Sequence, residues 1–311
     1  MPIIGDLTEY YREEGIELCA GLAPNHADGL PWAPFTWFCR DGKSVTGNLG
    51  IAVQEVYFLE HVLAAYKPKR ALIIGNSMGW STLALGLLMP QGKVVALDMA
   101  PDQAMRDGLD LTNRVAARHG LPVRAVQATS PRDVAAVVDR ELGGPVDFAF
   151  IDGLHTNEQV VLDYQAVRAK AVPDAVYLFH DVALFDLHAG IAEIGRLSGL
   201  TPMLLLGTPS GMVILFDPKL HPELARAAAA FAPSDSALKV VRKAAWDRRH
   251  RHLARWRKSR FRLVRWNTVA SSTQPITAAR AIEMTVVREL RSDSSARRFN
   301  SACSAACIAA T

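Results

Sequence analysis

Two apolar runs of this 311-residue chain end on residues that can do polar chemistry. In VDFAFIDGLHTNEQ, residues 146–159, the run Phe148–Ile151 stops on Asp152, and His155 follows three residues later. In AVYLFHDV, residues 175–182, a second run stops on His180 and Asp181. Carboxylates suit Mg2+, a hard cation that takes oxygen ligands in octahedral geometry and keeps places open for substrate oxygens. An imidazole near its own pKa removes a hydroxyl proton, a contribution of about 10²–10⁴-fold. Asp152 and Asp181 are therefore candidate metal ligands. His155 and His180 are candidate bases. His180 is also a candidate ligand, whose nitrogen shifts preference from Mg2+ toward Mn2+, Fe2+ or Zn2+. The plainer reading makes the acids strand-end caps and the histidines hydrogen-bonded bystanders. Asp163, eleven residues past Asp152 on the following helix, is expected to be a buried structural partner.

A second constellation lies earlier. RALIIG ends at Gly75-Asn76-Ser77-Met78-Gly79-Trp80-Ser81, and KVVALD ends at Asp98. The glycines let backbone approach a ligand, and the N–H groups opening the next helix hold an anion. An acid about 20 residues beyond such a turn accepts hydrogen bonds from ribose hydroxyls. The turn lacks the second glycine of GxGxxG that makes room for a pyrophosphate. It fits a small carboxylate better, such as the one on the methionine end of S-adenosylmethionine.

Both groups need a scaffold that brings strand ends together. From residue 70 the chain alternates strand and helix: RALIIG, a helix to Pro90, KVVALD, a helix stopped by Gly120, PVRAVQA, a helix over 133–142, VDFAFID, a helix from Thr156, and AVYLFHD. Strands buried on both faces read as continuous apolar runs, and this alternation implies parallel pairing. PMLLLGTPSGMVILFDP breaks the alternation with two apolar runs around a turn, a β-hairpin. The expected fold is α/β: a Rossmann-like doubly wound sheet, mostly parallel, with a terminal antiparallel β-hairpin and helices on both faces. Ligands of such sheets sit at the carboxyl ends of the strands. Residues 50–69 read as an amphipathic helix. The domain reading is an aromatic-rich cap over 1–45 (Trp32, Phe35, Trp37, Phe38), a catalytic domain over 46–232, and a tail over 233–311.

LIIGNSMGWSTLAL, VVALD, ATSPRD, FAFIDGLH and YLFHDV stand in the order seen in class I S-adenosylmethionine-dependent methyltransferases. Over residues 45–217 the chain most resembles small-molecule O-methyltransferases related to catechol O-methyltransferase and their bacterial antibiotic and macrolide-sugar branch. The resemblance implies that Gly75, Asn76, Ser77 and Gly79 line the methionine end of S-adenosyl-L-methionine. Ser81 reaches its carboxylate, Asp98 binds the ribose, and Thr129 and Ser130 lie against the adenine. It further implies Mg2+ or Mn2+ at Asp152 and Asp181, with His155 as base. Two positions depart from the pattern. Ile73 replaces a frequent acid two residues before the first glycine, and His180 replaces an oxygen ligand.

Composition divides the chain. From residue 233 onward, 17 Lys and Arg face 5 Asp and Glu, a net of about +12, whereas the preceding residues carry 18 against 26, about −8. Residues 239–266 interleave Arg and Lys with Trp246, Trp256, Phe261 and Trp266. Such a segment suits nucleic acid or an anionic membrane surface, or is incidental extension sequence. Residues 267–311 have a composition typical of disordered chain. Scattered cysteines, an acidic and polar N-terminal stretch and no long apolar run lead to a cytoplasmic expectation. The expected partner is a small hydroxylated metabolite, with a homo-oligomer left open. Two rivals remain: a nicotinamide-dependent oxidoreductase, and a catalytically inactive relative that binds through its basic tail.

Overall fold

The structure is a computed structural model that describes residues 2–22, 32–244 and 246. Helix α1 (Ile4–Glu13) leads into a small antiparallel sheet of β1 (Glu17–Cys19), β2 (Trp37–Arg40) and β3 (Lys43–Ser44). Then follow α2 (Val53–Ala65), β4 (Arg70–Ile74), α3 (Trp80–Leu88), β5 (Lys93–Asp98), α4 (Gln103–His119) and β6 (Val123–Gln127). Helix α5 (Val134–Val137) continues as a π-helical turn over Val138–Leu142 and precedes β7 (Val146–Ile151) and α6 (Asn157–Arg168). The remaining elements are β8 (Ala171–Phe179), α7 (His188–Ser198), β9 (Met203–Leu205), β10 (Met212–Leu215) and α8 (Pro222–Ala229).

Seven strands form one sheet in the order β6-β5-β4-β7-β8-β10-β9. The five from β4 to β8 pair in parallel. β10 runs antiparallel between β8 and β9, so the expected hairpin closes one edge. Strand order reverses between β4 and β7, the kind of switch point where open α/β sheets bind ligands.

The apolar strands are explained by burial on both faces. Alternate side chains divide cleanly. Ala71, Ile73, Val94, Ala96, Phe148, Phe150, Val176 and Leu178 join one core with residues of α1 to α4 and α8. Leu72, Ile74, Val95, Leu97, Ala149, Ile151, Tyr177 and Phe179 join the other with α5, α6 and α7. Period-two patterning thus serves two layers of helices at once.

The sequence reading and the structure differ in two elements. β8 begins at Ala171, earlier than the expected 175, and ends at Phe179. The register jumps from Val146–Ala171 to Phe148–Val176. Pro173, which reads as a strand breaker, falls within this irregular stretch, where a missing backbone donor is tolerated. His180 and Asp181 therefore lie just beyond the strand. The aromatic-rich N-terminal stretch also shares the main core: Leu7, Tyr11, Ile16 and Phe38 are all buried there, and Phe35 is 4% exposed, whereas Trp32 is 38% exposed.

The described residues up to Leu238 form one compact unit. The expectations for residues 247–311 lie outside the described residues. Among the described residues, no helix is long and apolar enough to cross a membrane.

Phe148 is 1% exposed at the centre of the sheet. Phe148→Ala is expected to lower unfolding free energy by about 3–5 kcal/mol, because packed surroundings close only partly over the lost ring. Urea titration followed by circular dichroism checks this value.

Candidate active site

The turn after β4 is built around Asp98. One carboxylate oxygen of Asp98 accepts hydrogen bonds from the backbone N–H groups of Asn76 (2.8 Å) and Ser77 (3.0 Å), and the other accepts from Ala100 N–H (2.8 Å). The Asn76 side chain is buried. Its amide donates to Thr112 Oγ1 (3.1 Å) and to the Ser77 carbonyl (3.0 Å), and its oxygen accepts from Thr82 Oγ1 (3.0 Å). Tyr11 donates its hydroxyl to the Met78 carbonyl at 2.6 Å. These anchors hold the loop without an acid at position 73. Ile73 is wholly buried in the core.

The two glycines serve the protein's own packing. Gly75 has φ +95°, and a Cβ there would lie 2.0 Å from the Asp152 carbonyl oxygen. Gly79 has φ +83°, and its Cβ would lie 2.1 Å from Thr112 Oγ1. The left-handed backbone and the crowding each disfavour a side chain. Ser77 adopts φ +46° without being glycine, and its buried hydroxyl lacks a hydrogen-bond partner. Strained backbone and an orphan hydroxyl each call for a local explanation, which the hydrogen bonds within the turn do not supply. Ser81 is buried in the first turn of α3.

Past β6, Thr129 N–H donates to Asp133 (2.8 Å), and Ser130 Oγ donates to Asp163 Oδ1 (2.5 Å). Gln159 also donates to Asp163 Oδ1, at 2.7 Å. Asp163 is 1% exposed, the buried partner expected from sequence. Burial pushes its pKa above the usual carboxylate value, against the lowering effect of the Ser130 and Gln159 hydrogen bonds.

The second group sits next to this turn. The Asp152 N–H bonds to the Ile74 carbonyl (2.9 Å), and the close approach of Gly75 to the Asp152 carbonyl leaves no space between them. His155 Nε2 lies 3.3 Å from Asp152 Oδ1 and 3.2 Å from Asp181 Oδ2. One ligand atom from each of Asp152, His155 and Asp181 lies within 4.8 Å of the others. Asp181 reaches this position from a left-handed backbone (φ +58°), which aspartate tolerates better than most side chains. Phe185 stacks on His155 with ring centres 4.5 Å apart.

His180 occupies the inner side of the group. Its side chain is 5% exposed, with Nδ1 3.2 Å from Asp152 Oδ1 and 3.3 Å from Asp181 Oδ1. Nε2 lies 3.0 Å from Glu55 Oε2 on α2, and Glu55 is fully buried. Phe35 and Phe150 meet the imidazole edge-on. Burial disfavours the imidazolium, but Asp152, Asp181 and Glu55 outweigh it and hold the His180 pKa well above the usual histidine value. For Asp152, burial raises the pKa and the charges and hydrogen bonds of His180 and His155 overcome it, leaving the carboxyl far below its usual value.

The arrangement fits a divalent cation by its own geometry. Two carboxylates converge with His155 within reach of one ion, and Asp181 Oδ1 is buried without a hydrogen-bond partner. Sequence reasoning missed Glu55 and Ser210, which complete this cluster. A glutamate inside the apolar stretch IAVQEVYFLEHVL was the available signal for the first. Ser210 read only as part of a turn.

Against this geometry, residues 72–182 match the family model described as a methyltransferase domain. The matched stretch runs from β4 to the residues just past β8 and so takes in both the turn after β4 and the acidic cluster. At the level of individual proteins, the chain is 26% identical over 139 residues to a flavonoid 3',5'-methyltransferase of Vitis vinifera. That match covers 44% of this chain and 57% of the relative. Similar solved structures include the O-methyltransferase TomG from Streptomyces achromogenes, involved in tomaymycin synthesis and solved with S-adenosylmethionine. It is 18% identical, with a TM-score of 0.44, covering 55% of this chain and 82% of that one. An O-methyltransferase from Bacillus cereus, in complex with S-adenosylhomocysteine, is 17% identical, with a TM-score of 0.42 and coverages of 52% and 80%.

Two outcomes are expected. Asp98→Ala removes the acceptor of three backbone N–H groups and is expected to weaken S-adenosylhomocysteine binding by about 10–100-fold, the loss of one or two charge-assisted bonds, measured by calorimetry. Asp163 has a folded pKa above its unfolded value of 3.8. Its contribution to stability is full below that value and is lost as pH rises through the folded pKa. Wild-type stability minus that of Asp163→Asn should therefore fall with rising pH across this acidic window, as thermal unfolding at a series of pH values will show.

Proposed function

We propose that the chain is an S-adenosylmethionine-dependent methyltransferase that methylates a hydroxyl of a small metabolite, assisted by a divalent cation at Asp152 and Asp181. One observation carries this reading: the Asp152 backbone is pressed against Gly75, which sets the acidic cluster beside the cofactor turn. The match of residues 72–182 to a methyltransferase domain, and the flavonoid methyltransferase relative, support the same chemistry.

S-adenosylmethionine supplies an electrophilic sulfonium methyl, and a divalent cation supplies positive charge that makes an acceptor hydroxyl more acidic. In the proposed site, backbone around Gly75, Asn76, Ser77 and Gly79 lines the methionine end. Ser81 and the N–H groups opening α3 take the carboxylate. Asp98 serves two purposes: it holds the turn and takes the ribose hydroxyls. Thr129 and Ser130 line the adenine, although the Ser130 hydroxyl is engaged by Asp163 and offers its backbone and methylene instead.

Asp152 and Asp181 would hold the cation, which would bind the acceptor oxygen and make its hydroxyl more acidic. His155, less enclosed than His180, removes the hydroxyl proton at Nε2. The C–O bond forms as the C–S bond breaks, and the electron pair stays on sulfur. Such a transfer gains chiefly from orientation. Phe35 and Phe185 flank the histidines and limit water. Exposed Leu154 and Phe185 offer an apolar surface to the acceptor, in keeping with a planar or sugar-like molecule.

Asp152→Ala is expected to abolish metal-stimulated release of S-adenosylhomocysteine from a panel of hydroxylated acceptors while retaining cofactor affinity. EDTA should suppress wild-type turnover, and Mg2+ or Mn2+ should restore it. Full turnover after chelation would leave the histidines as the sole catalytic groups.

A further inference from the structure

Cys19 and Cys39 have no part in the chemistry above. They stand 20 residues apart in the sequence and share no motif. The small antiparallel sheet brings them together. Its strands β1 and β2 pair Glu17 with Cys39, Leu18 with Phe38 and Cys19 with Trp37. Opposed residues share a face, and side chains alternate along each strand. Leu18 and Phe38 turn to the main core, so Glu17, Cys19, Trp37 and Cys39 occupy the outer face. On that face the two cysteines are diagonal neighbours, both half-buried and both free thiols.

The two thiols sense each other. Burial pushes the Cys19 pKa above the usual thiol value, and the charge of Cys39, the charge of Glu17 and a hydrogen bond with the Cys39 thiol push the same way. Diagonal partners in an antiparallel sheet stand about 7–8 Å apart, next to the limit of about 7 Å for Cα atoms joined by a disulfide. A bond between these sulfurs therefore draws β1 and β2 slightly together. Disulfides that are exposed or hard to close are the reducible ones, suited to regulation rather than to permanent cross-linking. That character fits a chain whose cysteines form no disulfide framework.

β2 carries the pull toward the candidate active site. Beyond Cys19 the pairing continues, with Gly21 N–H bonded to the Pro34 carbonyl (3.2 Å) and Leu22 N–H to the Ala33 carbonyl (3.1 Å). Phe35 lies between these bonds and the Thr36–Gly50 bridge. Its ring meets His180 edge-on, with centres 6.3 Å apart. The loop that a Cys19–Cys39 bond would close is thus the one that holds Phe35 against the site.

We propose that Cys19 and Cys39 form a reversible oxidation site, a dithiol that a low-molecular-weight disulfide such as glutathione disulfide converts into a cross-link, fixing the segment that carries Phe35. One thiol loses its proton to water and attacks a sulfur of glutathione disulfide, whose S–S bond breaks as one glutathione thiolate leaves. The second thiol, deprotonated in turn, attacks the protein sulfur of the mixed disulfide and expels the other glutathione thiolate. The two thiolates take up the two protons. Two cysteines are oxidised, and one glutathione disulfide is reduced to two thiols. The inference goes beyond the methyl-transfer reading and does not depend on it.

The test uses the full chain and glutathione disulfide. A chymotryptic digest made without reduction, in which cleavage after Trp32 and Phe35 separates the two cysteines, should join the peptide holding Cys19 to the one holding Cys39. Dithiothreitol should release them, and Cys19→Ser and Cys39→Ser should each abolish the joined peptide. Amide hydrogen exchange over residues 33–38 should slow by about tenfold or more on oxidation, because a cross-link removes open states of the loop it closes. The same treatment should leave exchange unchanged in either serine variant.

Glutathione attached to Cys19 or Cys39 with no joined peptide, a bond from either to Cys303 or Cys307 in its place, or thiols left unreacted overturns the site. A joined peptide with unchanged exchange over residues 33–38 overturns its hold on the Phe35 segment.

Discussion

Everything at this site depends on a buried imidazole shared among three carboxylates. Ions removed from water carry a desolvation cost of several kcal/mol each, and mutual attraction repays it only when partners are close and the remaining lone pairs are used. His180 meets that condition on its Glu55 side, where Ser210 and Ala52 complete the carboxylate's hydrogen bonds. On the other side Nδ1 faces Asp152 and Asp181 at 3.2 and 3.3 Å, and Asp181 Oδ1 lacks a hydrogen bond. The inner side is thus structurally complete, and the side facing His155 keeps unspent capacity for a ligand.

Topology supplies the convergence. β4, β5, β7 and β8 run parallel, so their carboxyl ends share one edge. Asp98 closes β5, Asp152 follows β7, and Asp181 follows β8. The cofactor turn and the acidic cluster then touch through the contact of Gly75 with the Asp152 carbonyl. A side chain at residue 75 would force the turn after β4 and the Asp152 backbone apart. The fold and the chemistry share that constraint.

Much of this was legible in the sequence, because the parallel strands are continuous apolar runs and their ends are marked by Gly75, Asp98, Asp152 and His180-Asp181. The hairpin was legible from GTPSG. The start of β8 was hidden by Pro173, which the irregular pairing absorbs. Glycine at 75 and 79 was readable as backbone freedom, but not as clearance for Asp152 and Thr112, since those contacts join residues 77 and 33 positions apart. Glu55 and Ser210 were invisible for the same reason. Their pairing depends on α2 and the β9–β10 turn both packing near the β8 end, and no local pattern records that. Tyr11, Gly108 and Thr112 likewise support the cofactor turn only through tertiary packing.

The central claim is that the edge formed by Gly75–Ser81 and Asp98 binds S-adenosylmethionine. A thermal-unfolding comparison of the full chain with S-adenosylhomocysteine and with NAD, each added separately at saturating concentration, tests it most directly. The account predicts a rise in melting temperature with S-adenosylhomocysteine and none with NAD, since a ligand bound only by the folded state stabilises it in proportion to its saturation. Stabilisation by NAD alone would contradict it.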